Sequence, residues 1–71
     1  MEKEIKNLTY ILSLIIPVYN EEKNIPLLLK KIEKHIKIPI KIYFIYDFDE
    51  DSTIPIISKY IGKFIFPIKL V

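Results

Sequence analysis

Two clusters of acidic residues in this chain each follow an apolar run. The acids are Glu21 and Glu22 after LSLIIPV, and Asp47, Asp49, Glu50 and Asp51 after KIYFIY. A carboxylate at the end of a strand can accept hydrogen bonds from a ribose or a base edge, or hold a Mg²⁺ ion that bridges phosphates. Tyr19, beside the first cluster, adds a ring face on which a base can stack. The pattern is therefore compatible with one wall of a nucleotide pocket.

The same residues also have a purely structural interpretation. Acids after a strand are often solvated turn residues, and acids near the start of a helix complement its dipole. A tyrosine at such a position is often a packed aromatic at the rim of the fold. On residue types alone, the structural interpretation is favoured over the nucleotide pocket.

Other kinds of chemistry find little support in the chain. With a single glycine there is no glycine-rich phosphate loop, which excludes the Rossmann fingerprint and the P-loop. The chain has no cysteine, and His35 is its one histidine, so no metal site of cysteine and histidine ligands is predicted. Ser13 and Ser52 have no base close in sequence, and we assign no catalytic residue.

Three runs rich in isoleucine and aromatic residues predict strands. These runs are Leu12 to Val18, Lys41 to Tyr46 and Phe64 to Val71. The first is apolar at both alternating positions, which is typical of a strand buried on both faces of a parallel sheet. Pro17 cannot donate to a ladder, so the pairing of this strand should stop there.

Two helices are predicted between these strands. The first has an apolar stripe from Ile25 to Ile36, an N-cap at Asn24 and an end near Lys37. The second has an N-cap at Thr53 and a C-cap at Gly62. Alternating strands and helices with right-handed crossovers make a parallel α/β layer, which brings both acidic loops to the same edge of the sheet. Ligands bind at that edge in such folds.

Composition limits the remaining possibilities. A chain of 71 residues is at most one small domain. Its formal charge of +2 comes from lysines interleaved with glutamates, which is unlike a nucleic-acid-binding surface. The longest apolar stretch, from Tyr10 to Tyr19, contains Ser13 and Pro17 and is too short for a membrane span. No signal-peptide cleavage site follows it, so we expect a cytoplasmic protein.

Two stretches of the chain resemble a known family. LSLIIPVYNEEKNIPLLLKKI is similar to the first strand and helix of the family 2 glycosyltransferases, especially their dolichol-phosphate mannose synthase-like branch. YFIYDFDEDST resembles the second strand and acidic loop of the same family. Many members have paired aspartates followed by glycine and serine in that loop, whereas Phe48 and Asp49 follow Asp47 here.

The resemblance implies a partial GT-A fold, an α/β structure with three parallel strands and two helices. It also implies that the nucleotide of a sugar donor is lined by Pro17, Tyr19 and Glu21, and that Asp47 hydrogen-bonds the base with Ile45 in the strand behind it. UDP-sugars and GDP-sugars both remain open because of the departure at Phe48. The implied activity is transfer of a hexose from the nucleotide sugar, to a polyprenyl phosphate at the membrane surface.

The family's later motifs are not found in the chain. Members carry a further acidic motif that binds Mg²⁺ or Mn²⁺ with the diphosphate, and then a catalytic base. We therefore expect residues 1–71 to be a truncated N-terminal portion of a glycosyltransferase domain that binds nucleotide weakly without turnover. The alternative is a small α/β interaction module that binds a protein partner through its exposed sheet edge and apolar face.

Overall fold

The computed structural model describes residues 11–71 and shows a parallel sheet with two helices. The elements in chain order are strand β1 (Leu12–Pro17), helix α1 (Ile25–His35), strand β2 (Ile40–Ile45), helix α2 (Thr53–Ser58) and strand β3 (Ile68–Leu70). The strands lie in the order β1-β2-β3, and β2 pairs in parallel with both neighbours. The predicted α/β layer of three parallel strands and two helices is thereby confirmed.

The register of the sheet separates a helix-covered face from an outer face. Leu14 lies opposite Ile42, and the next such pair, Ile16 and Phe44, lies on the same face because side chains alternate along a strand. Ile42 and Phe44 are fully buried. Both helices cover this face, as expected for two successive right-handed crossovers that step in the same direction across a sheet.

The hydrophobic core lies between this face and the two helices. Its buried members are Val18, Ile25, Leu29, Ile32, Ile40, Ile42, Phe44, Ile57 and Ile68. Helix α1 contributes three of them at the spacing of one helical face, and α2 contributes Ile57. The outer face of the sheet is less covered, and Ile15 on β1 remains 64% exposed. The prediction that β1 is buried on both faces is therefore wrong within residues 11–71.

Strand β3 is shorter than the sequence pattern predicted. It begins at Ile68, whereas the aromatic residues Phe64 and Phe66 lie before it and pack partly buried on the core. Phe64 N–H donates to the carbonyl of Tyr60 at 2.9 Å, so the chain is still turning there. The rings of Phe64 and Phe66 meet edge to face at 6.1 Å. Their strand propensity is overridden by this packing.

The helix ends also differ from the predicted ones. Helix α1 has Asn24 at its N-cap position, as predicted, but ends at His35, and Ile36 is already extended. Helix α2 has Ser52 at its N-cap position, and Thr53 is its first residue. It ends at Ser58, so Gly62, with φ of 81°, shapes a later turn and is not a C-cap.

No helix within residues 11–71 is long and apolar enough to cross a bilayer.

Candidate functional site

Strands β1 and β2 end side by side, which places two loops at one edge of the sheet. Pro17 is paired with Ile45 as the last pair of the register, and the N–H of Val18 donates to the carbonyl of Ile45 at 2.9 Å. The loop of residues 18–24 leaves β1 there, and the loop of residues 46–52 leaves β2. We call these loop 1 and loop 2. Tyr19 and Asp47 follow neighbouring, co-directional strands, as the sequence predicted.

Two aromatic rings meet across the loops. Tyr19 of loop 1 and Phe48 of loop 2 have ring centroids 5.6 Å apart and planes inclined by 55°. Tyr19 is 66% exposed, whereas Phe48 is half-buried. An exposed ring that is braced by a second ring provides a fixed apolar face at the edge of the sheet. Phe48 therefore belongs to the candidate site. From the sequence it was noted only as a departure from the family pattern, and no role in the site was predicted for it.

Most acids of loop 2 remain in solvent. Asp47, Asp49 and Glu50 are exposed. Asp47 immediately precedes Phe48, so its carboxylate is carried by the same loop that supports the Tyr19 ring. This position leaves it able to accept a hydrogen bond from a ligand.

Glu21 organises the entry into α1. Its carboxylate accepts a hydrogen bond from Asn24 Nδ2 at 2.7 Å, and its carbonyl accepts from the N–H groups of Asn24 and Ile25 at 2.9 and 3.2 Å. The Asn24 side chain thus donates to Glu21 and does not cap the helix with its oxygen. A role of Glu21 toward a nucleotide remains a prediction.

Asp51 differs from the other acids of loop 2 because it is buried. It is 1% exposed, and its Oδ1 accepts hydrogen bonds from the N–H of Asn20 at 2.9 Å and of Thr53 at 2.7 Å. Burial by itself raises the pKa of Asp51, but the hydrogen bonds from Thr53 and from the Asn20 backbone outweigh it, so this pKa lies below its ordinary value. Asp51 is therefore a carboxylate at neutral pH.

Further hydrogen bonds join loop 1 to loop 2 and to the first residue of α2. Asn20 Oδ1 accepts from the N–H of Ser52 at 3.0 Å, and Thr53 Oγ1 accepts from the N–H of Glu21 at 2.7 Å. The hydroxyl of Ser52 donates to a carboxylate oxygen of Glu22. This bond is the main reason why the pKa of Glu22 lies below its ordinary value. Loops 1 and 2 are thus connected through backbone and side-chain groups of both.

Sequence reasoning assigned no function to Asn20 and treated Asp51 only as one of the loop acids. The residue type of Asn20 was an available signal, because asparagine adopts positive φ more readily than most residues, and its φ here is 47°. No comparable signal marks Asp51, because acids surround it in the sequence. Only its burial distinguishes it.

The acids of loops 1 and 2 show no metal-binding cluster within residues 11–71. Among residues 11–71, no group of three or more histidine, cysteine, aspartate or glutamate side chains is arranged to hold a metal ion. Asp51 directs its Oδ1 to backbone N–H groups, and Glu21 accepts a hydrogen bond from Asn24. We therefore assign none of them to Mg²⁺ or Mn²⁺ and derive no step through a metal.

Comparison with known proteins agrees with this architecture. The family model described as glycosyl transferase family 2 matches residues 13–71, which include loops 1 and 2 and run through β3. Searches of curated proteins and of solved structures found no match. The three parallel strands and two helices correspond to a partial GT-A fold of the Rossmann-like α/β type. The chain belongs to glycosyl transferase family 2.

Proposed function

We propose that this chain binds the nucleotide of a sugar donor, as the N-terminal portion of a family 2 glycosyltransferase domain. One observation carries the proposal: Tyr19, Phe48 and Asp47 lie together where β1 and β2 end. An aromatic face beside an acceptor carboxylate matches the two demands of a nucleoside, which presents a flat base and polar base and ribose groups.

Each residue of the site has a distinct proposed role. The base stacks on the exposed face of Tyr19, with Phe48 supporting the ring from behind. Asp47 accepts a hydrogen bond from the base. Pro17 lines the nucleotide, and Ile45, its partner in the last pair of the sheet, lies in the strand behind Asp47. Glu21 lines the nucleotide and orders the start of α1 through Asn24.

The proposed reaction of the whole domain is transfer of a hexose from a UDP- or GDP-sugar to a polyprenyl phosphate at the membrane surface. This chemistry requires stabilisation of the negative charge on the leaving diphosphate. When the acceptor group is protonated, its proton must also be removed. The described residues show no group placed for either task. We therefore expect the 71-residue chain to bind nucleotide weakly and to transfer no sugar.

Isothermal titration calorimetry of the 71-residue chain with UDP and with GDP tests the binding. We expect saturable binding of one of them, and weaker binding in a Tyr19→Ala variant. Repeating the titration with Mg²⁺ or Mn²⁺ measures how far a divalent ion contributes. Absence of binding by either nucleotide under all these conditions would refute the proposal for this chain.

A second candidate function follows from the outer face of the sheet. Ile15, Tyr43 and Ile45 share this face, which neither helix covers, and Ile15 is 64% exposed. Exposed apolar area of this kind is typical of surfaces that bind a protein partner. Sedimentation velocity of the wild type and an Ile15→Lys variant tests this candidate. An oligomer that the substitution dissociates, together with unchanged nucleotide response in Asp47→Asn, would favour the interaction module.

A further inference from the structure

We propose that Asp51 is a positioning residue: its buried carboxylate holds loop 1 against loop 2 and thereby sets the Tyr19 and Phe48 wall. The inference concerns the arrangement of the two loops, and its consequence for ligand binding rests on the proposed function. Asp51 is 1% exposed, so it acts through its neighbours and not by contact with a ligand.

One oxygen atom makes the part of the connection that Asp51 provides. Oδ1 of Asp51 accepts from the Asn20 N–H of loop 1 and from the N–H of Thr53, the first residue of α2. Both donors are backbone groups, so the carboxylate determines where the two main chains lie relative to each other. Hydrogen bonds to an ionised acceptor are stronger than those between neutral groups, which suits this role.

The conformation of Asn20 makes loop 1 dependent on this support. Its φ of 47° is uncommon for a residue other than glycine and persists where the surroundings determine it. Asn20 is held on both sides, since its N–H donates to Asp51 and its side-chain oxygen accepts from the Ser52 N–H. Tyr19 immediately precedes Asn20, so the direction of its ring depends on the backbone that Asp51 holds.

The other acids of loop 2 provide a contrast. Asp49 and Glu50 are exposed. The Oδ2 of Asp51 is buried and has no hydrogen-bond donor within residues 11–71, so the part of the connection that Asp51 provides passes through Oδ1. An asparagine at this position would keep one acceptor oxygen, whereas an alanine would keep none.

The test compares the wild-type 71-residue chain with Asp51→Ala, Asp51→Asn and, as a matched loss of a loop 2 carboxylate, Asp49→Ala. Amide hydrogen exchange by NMR follows Asn20 and Thr53 as reporters of the connection, and Ile42 and Phe44 as reporters of the core. Titration with UDP and with GDP follows binding. Each variant is measured at neutral pH.

We expect Asp51→Ala to lose exchange protection at Asn20 and Thr53 while Ile42 and Phe44 keep theirs. Nucleotide affinity should fall by about tenfold or more, because loops that are no longer preorganised must be ordered on binding. Asp51→Asn should recover part of both properties, and Asp49→Ala should resemble the wild type at these four amides.

Two results would overturn the inference. One is unchanged protection of Asn20 and Thr53 in Asp51→Ala. The other is a parallel loss of protection at Ile42 and Phe44, which would make Asp51 a determinant of global stability only. If the wild type binds neither nucleotide while Asp51→Ala still frees only the loop amides, the proposed function fails and the positioning role of Asp51 is upheld.

Discussion

The ring centroids of Tyr19 and Phe48 lie 5.6 Å apart, although Tyr19 belongs to the loop after β1 and Phe48 to the loop after β2. Their contact depends on the parallel pairing of the two strands, which end together at Pro17 and Ile45. Phe48 lies between the exposed acids Asp47 and Asp49 of loop 2. Its position therefore supports the aromatic face of Tyr19.

The first prediction concerns stacking on Tyr19. Tyr19→Ala should weaken binding of the preferred nucleotide by about 5- to 150-fold, which corresponds to about 1–3 kcal/mol for an aromatic contact with a base. Tyr19→Phe keeps the ring and should bind within about twofold of the wild type, since a hydroxyl contributes little to stacking. Calorimetric titration measures both variants. Equal affinities for Tyr19→Ala and the wild type would exclude Tyr19 from the binding face.

The second prediction distinguishes two exposed acids of loop 2. Asp47→Asn should lower nucleotide affinity by about tenfold, because a hydrogen bond to a charged acceptor contributes about 1.5–3 kcal/mol and the neutral amide oxygen that replaces it about 0.5–1.5 kcal/mol. Asp49→Asn removes the same charge two positions later and should leave affinity nearly unchanged. Titrations in parallel at one salt concentration compare them. A loss of equal size in both variants would indicate a general effect of charge and not a contact with the base.

The third prediction concerns the hydroxyl of Thr53. Thr53 is fully buried, and its Oγ1 accepts the N–H of Glu21 at 2.7 Å. Thr53→Val keeps the shape but leaves this N–H without its acceptor, so the free energy of unfolding should fall by about 1–3 kcal/mol. Urea denaturation followed by circular dichroism measures the change. Thr53→Ser retains the hydroxyl and should lose less stability than Thr53→Val. A larger loss in Thr53→Ser than in Thr53→Val would show that packing of the methyl group matters more than the hydrogen bond.

The fourth prediction concerns stability at acid pH. The folded pKa of Asp51 lies below its ordinary value of 3.8, because hydrogen bonds from Thr53 and Asn20 outweigh the effect of burial. The unfolded chain therefore binds a proton at higher pH than the folded chain does, so the stabilisation is present above the ordinary pKa and is lost as pH falls through the folded one. Urea midpoints measured between about pH 2 and pH 7 should decline at the acid end.

Asp51→Asn provides the control for this pH series, because it lacks the titrating carboxylate. Its midpoints should decline less steeply over the same range. The pKa of Glu22 is lowered mainly by the hydrogen bond from the Ser52 hydroxyl, so ionised Glu22 also stabilises the fold above its ordinary pKa of 4.5. Glu22→Gln should therefore also reduce the slope of the urea midpoint against pH. Identical slopes in the wild type and Asp51→Asn would contradict the prediction.

Much of the fold follows from local patterns. The helical spacing of Ile25, Leu29 and Ile32 predicted the buried face of α1, and the structure confirms it. The run ending in Tyr46 predicted β2, which the structure places at Ile40–Ile45. These patterns succeed because the burial period of a helix or strand is set by its own backbone geometry.

Other features could not be predicted from local patterns. Phe64 and Phe66 have strong strand propensity but pack as side chains on the core before β3 begins. Thr53 resembles an N-cap, yet its hydroxyl accepts an N–H from loop 1, and Ser52 takes the cap position. In both cases the partner comes from a distant part of the chain, which local propensity does not contain.

The sequence by itself determined the alternation of strands and helices, their parallel arrangement and the edge at which the two acidic loops meet, because periodicity and crossover handedness are local or general constraints. The tertiary structure alone decided which acid is buried. Asp51, Asp49 and Asp47 are chemically identical, and only Asp51 meets the N–H group that Asn20 brings from the other loop. A buried carboxylate needs such donors, so its place depends on where two separate segments come together.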